Sequence, residues 1–61
     1  MNISTYMITF HTEFLGTRSD DIVTYINAFY PADAVAQLHK SPVWASVPSS
    51  VLIVDEIVCV K

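Results

Sequence analysis

Pro31 divides this chain into two kinds of structure. It stands within INAFYPADAVAQLHK, residues 26–40, between a run suited to an extended strand and a run suited to a helix. Proline has no backbone N–H and a pre-set φ, so it is accepted in a first helical turn and disrupts a helix interior. The change from strand to helix is therefore expected at this residue. Asp33 falls in the first turn, where the helix dipole favours a carboxylate, and His39 and Lys40 fall at the opposite end, which favours cations. Ala34, Val35 and Leu38 make one apolar stripe. Pro42 then holds Ser41 out of helical geometry and ends the element. A helix this short is unstable alone in water, so a sheet must receive its stripe.

The flanking segments supply that sheet. Residues 3–14 are rich in Thr, Tyr, Ile and Phe, which suit a pleated, half-buried surface. Alternation places Tyr6, Ile8 and Phe10 on one face and Met7, Thr9, His11 and Glu13 on the other. LGTRSDD contains the only glycine and reads as a hairpin loop. In the next strand, DIVTYINAFY, Ile22, Thr24, Ile26 and Ala28 oppose Val23, Tyr25, Asn27 and Phe29. Residues 41–50 form a loop with prolines at 42 and 48. VLIVDEIVCV is a third strand, largely apolar on both faces. Either it is covered on both sides, or a bulge near Asp55–Glu56 reverses its facing. The expectation is one α+β domain over residues 1–61, in the order β-β-α-β. A three-stranded sheet carries one short helix on one face, and the last strand lies beside the first through a right-handed crossover.

One helix covers one face. The chain is 52% apolar and 15% charged, against about 25% charged residues in an ordinary soluble domain. The uncovered face is expected to present Met7, Val23, Tyr25 and Phe29, plus either Leu52, Val54, Val58 and Val60 or their alternates, unless an extra strand or the 41–50 loop folds over it. A contiguous apolar patch of that kind marks an interaction surface. Tyr30 adjoins it at the strand–helix join. Trp44 either packs back under the helix or serves as an anchor, being of the residue type most enriched in binding hot spots. The candidate partner-binding set is thus Met7, Val23, Tyr25, Phe29, Tyr30 and Trp44.

Other classes of function find little support. Three basic residues, Arg18, Lys40 and Lys61, are scattered against six acidic ones, which disfavours nucleic acid. The longest aliphatic run, VLIV, is far too short to span a bilayer. MNISTYMITF lacks the basic segment and cleavage site of a secretory signal. With one unpaired cysteine, this points to the cytoplasm. Cys59 sits in a β-branched run and reads as a small buried hydrophobe. His11 reads as a surface histidine among polar strand residues, and His39 as a helix-end cation. Two histidines without clustered cysteines make no metal signature, and one glycine cannot build a phosphate loop. No cofactor, metal or catalytic group is expected.

The join INAFYPADAVAQL, followed by a valine-rich final strand ending near a lone Cys, resembles very small phage-encoded β-β-α-β proteins, over residues 22–60. Coliphage inhibitors of host RNA polymerase are among them. The resemblance implies a compact non-enzymatic protein that occupies a surface on a larger machine in the host cytoplasm, as a host-takeover or anti-defence factor. The alternative is a homo-oligomeric structural or accessory protein whose apolar sheet face pairs with its own copy.

Overall fold

The computed structural model describes residues 2–61. It holds four strands and one helix: β1 Ser4–Phe14, β2 Thr17–Arg18, β3 Ile22–Ala28, α1 Pro31–Lys40 and β4 Leu52–Cys59. The architecture is α+β, with β1 in the centre and antiparallel to every other strand. β3 lies on one side of β1 and β4 on the other, and α1 packs over β3. The molecule measures 40 × 19 × 15 Å, as expected for one sheet with a single layer upon it.

The hairpin is tighter than LGTRSDD suggests. Glu13 pairs with Arg18 and Phe14 with Thr17, which leaves only Leu15 and Gly16 in the turn. Both have positive φ, 52° and 81°, the pattern of a two-residue turn matched to strand twist. Glycine takes this conformation freely, whereas an L-residue such as Leu15 loses roughly 1 kcal/mol there. β2 accordingly extends the hairpin beyond the three strands expected. Between β2 and β3 the pairing slips by one residue. Ser19 bridges the gap: its N–H donates to Thr12 O at 2.8 Å and its Oγ accepts from Thr12 N–H at 2.9 Å.

α1 begins at Pro31 with Tyr30 as a cap that offers no side-chain hydrogen bond. Asp33 reaches back instead, accepting from Phe29 N–H at 3.2 Å. At the far end Ser41 N–H donates to Leu38 O at 3.2 Å, and successive turns carry residues 41–51 back toward the sheet.

The core consists of Tyr6, Ile8, Phe10, Ala28, Ala34, Leu38 and Leu52. Ile22, Ile26, Trp44, Val54 and Ile57 pack around it, half-buried. Phe10 and Trp44 meet edge to face, with ring centroids 5.2 Å apart and planes at 89°.

β4 is an edge strand, so it is not the doubly covered strand that its composition allowed. The other possibility holds: a bulge. Thr9 pairs with Glu56 and Phe10 with Val54, leaving Asp55 as the extra residue. Leu52 and Val54 face the core before the bulge and Ile57 after it, which explains why neither simple alternation pattern is apolar throughout. Cys59 departs from expectation. It is exposed, near the open end of an edge strand, with its thiol 3.6 Å from Lys61 O.

Candidate functional site

The face of the sheet away from α1 has two distinct regions. One is apolar. Met7 on β1 stands opposite Tyr25 on β3 and Val58 on β4, and Val23 lies opposite Thr9. Val23 and Tyr25 remain 52% and 63% exposed, and Val58 and Val60 are also exposed. Among the described residues, no loop roofs this patch. Thr5 and Asn27 close one end through a 2.7 Å side-chain hydrogen bond.

The other region is ionic and centres on His11. Its position on the outer face follows from alternation, but its environment does not. His11 is 2% exposed, the one polar side chain in the core class among the described residues. The bulge at Asp55 turns that carboxylate toward β1, where its Oδ2 lies 2.6 Å from His11 Nδ1. Glu13, two residues along the same strand face, places Oε2 2.5 Å from Nε2. A neutral imidazole can donate only once, so two carboxylate acceptors require the doubly protonated ring. The Asp55 hydrogen bond raises the pKa of His11 above its ordinary 6.5, and Glu13 adds to the rise, against lowerings by burial and by Arg18. Arg18 in turn pairs with Asp21 at 3.1 Å, an exposed contact of small energetic weight.

The donor atoms of His11, Asp21 and Asp55 lie within 4.8 Å of one another. Two cations, the imidazolium and the Arg18 guanidinium, already supply the charge that these carboxylates attract. With both ring nitrogens donating to carboxylates, neither is free to take a proton from a substrate.

The six sequence-derived partner residues separate into three groups. Met7, Val23 and Tyr25 lie together on the outer face. Phe29 and Tyr30 are exposed at the β3–α1 join. Trp44 is on the opposite side, half-buried against Phe10, because the turns after α1 fold it onto the core. Trp44 also lines a groove of about 410 Å³ beside β3, together with Thr24, Ile26, Gln37, Leu38 and Ser41. Sequence reasoning left open whether Val58 and Val60 face outward, since their facing depends on the bulge, and treated His11 as a surface residue. The only sequence signals for the ionic cluster are the His11–Glu13 spacing and the carboxylate pair at the bulge.

Comparison with known protein families, curated proteins and solved structures finds no match. No helix is long and apolar enough to cross a membrane among the described residues.

Proposed function

We propose that the protein is a non-enzymatic binding module that occupies a surface of a larger protein through its outer sheet face. One observation carries this reading. Met7, Val23, Tyr25 and Val58 form a contiguous apolar patch that the chain leaves open to solvent. Burying a few hundred Å² of apolar surface there would contribute several kcal/mol, at roughly 25 cal/mol per Å². That gain is comparable to the whole stability of a domain this small. Steric occlusion is the mechanism, and the resemblance to phage-encoded inhibitors favours a host protein as the target. The fully engaged His11 cluster supports a structural role for the polar residues rather than catalysis.

The test is a tagged chain expressed in its native cell, compared with a Val23→Glu/Tyr25→Glu double variant. Both positions are exposed, so the variant is expected to fold with an unchanged far-UV spectrum. A protein retained by the native chain should be lost at least tenfold from the variant, and the purified pair should behave likewise. Equal retention by both chains would remove the outer face from the account.

A further inference from the structure

We infer that the free edge of β3 pairs with the β3 edge of a second copy, joining two sheets into one across a two-fold axis. This goes beyond the outer-face reading, because it uses main-chain groups rather than the side chains of the apolar patch.

The free groups follow from the direction of the β1 backbone. Thr5 exchanges hydrogen bonds with the β4 side, donating to Lys61 O at 3.2 Å and accepting from Val60 N–H at 2.9 Å. Glu13 N–H also points that way, to Val51 O, whereas Thr12 O accepts from Ser19 N–H on the β3 side. Successive residues of a strand direct their main-chain groups to opposite sides. Ser4, Tyr6, Ile8 and Phe10 therefore bond to Ala28, Ile26, Thr24 and Ile22. The N–H and C=O groups of Val23, Tyr25 and Asn27 point away from β1. Among the described residues, no other element accepts or donates to them.

The two outer edges of the sheet differ in how they are protected. β4 carries the Asp55 bulge and the adjacent Glu56, both of which discourage strand addition. Pairing β4 with its own copy would also bring like charges together. β3 reads IVTYINA, with no charge, proline, glycine or internal bulge. Two chains that each carry a net charge of −3 can thus approach along β3 without opposing one charged residue to another.

The strand is also its own complement. An antiparallel two-fold centred on Tyr25 sets Tyr25 against its copy and Val23 against the partner's Asn27. All three free residues of each chain are then hydrogen-bonded pairs. Side chains keep their faces, so the two outer patches become continuous. On the inner side, the groove lined by Leu38, Ser41 and Trp44 runs beside the same edge and leaves room along it.

The decisive comparison uses the full 61-residue chain made by chemical synthesis, with and without a backbone N-methyl group at Tyr25. N-methylation removes the outward N–H and blocks strand addition, while every side chain and the β1–β3 ladder are retained. Sedimentation equilibrium at about 100 µM, high enough for a dissociation constant of roughly 10 µM to give mostly dimer, should find a dimer for the unmodified chain. The N-methyl chain should be a monomer, its dissociation constant raised at least ~100-fold. A monomeric unmodified chain overturns the inference, as does a dimeric N-methyl chain. A Val58→Glu chain separates this proposal from the outer-face reading, since Val58 lies across the sheet on β4. Dimers dissolved by Val58→Glu but not by N-methylation assign self-association to the face. Amide exchange of the unmodified chain gives a readout independent of any variant. Protection at Val23, Tyr25 and Asn27 should rise with concentration, and constant exchange counts against the pairing.

Discussion

Replacing Phe10 with Ala is expected to remove a third or more of the protein's stability. Phe10 is fully buried on the central strand, between Ile22 on β3 and Val54 on β4, with Trp44 packed edge-on against its ring. Truncating a buried Phe costs about 3–5 kcal/mol, because the removed ring leaves a cavity its neighbours fill only in part. A domain of 61 residues has a total stability of about 3–9 kcal/mol. Among the described residues the core has few other contributors: six buried apolar residues, of which two are alanines. Urea unfolding followed by the fluorescence of Trp44, the only tryptophan, measures the change. A midpoint shift worth less than about 1 kcal/mol would place Phe10 outside the core.

The second large effect is a loss of stability on the alkaline side, governed by His11. Its folded-state pKa lies above the 6.5 of the free side chain, chiefly through Asp55 and then Glu13. A group whose pKa rises on folding adds stability that is fully present below its unfolded pKa. That contribution fades as pH climbs through the folded pKa. Moving from pH 6 toward pH 8.5 should therefore lower the urea midpoint. Structurally, deprotonation turns one of the two nitrogen–carboxylate contacts into an acceptor facing an acceptor, at a ring that is almost wholly buried. One of the two ties, to Asp55 at the β4 bulge or to Glu13 on β1, is lost. His11→Gln, which cannot carry the charge, should flatten the profile over this range. A midpoint that rises with pH in the native chain, or a slope unchanged in His11→Gln, would show that the imidazolium is not what holds the two carboxylates.

The Pro31 join, the helix stripe and the facing of β1 and β3 were legible because each depends on local chemistry. A missing N–H, a dipole and a two-residue period require no knowledge of distant partners. The turn at Leu15–Gly16 was less so. Leucine is a poor residue for positive φ, so its presence hides a two-residue hairpin that Asn or Asp would have announced. β4 marked its own ambiguity, since both of its faces are largely apolar, and the bulge at Asp55 resolved it. The His11 cluster lay beyond reach for a related reason. Alternation assigns a side chain to a face but not a depth. The depth here depends on Asp55, 44 residues away, being turned inward by that bulge. Cys59 shows the converse: a residue with a buried composition around it stays exposed because its strand lies at the edge.

An unroofed outer face is what distinguishes a binding module from a small self-contained fold, and solvent paramagnetic relaxation of the isolated chain's methyl groups measures it directly. With a soluble gadolinium chelate, the methyls of Val23 and Val58 should relax several-fold faster than those of Ile8 and Leu38 in a dilute, monomeric sample. Relaxation of Val23 and Val58 as slow as that of the core methyls would mean that the chain covers its own sheet, contradicting the account.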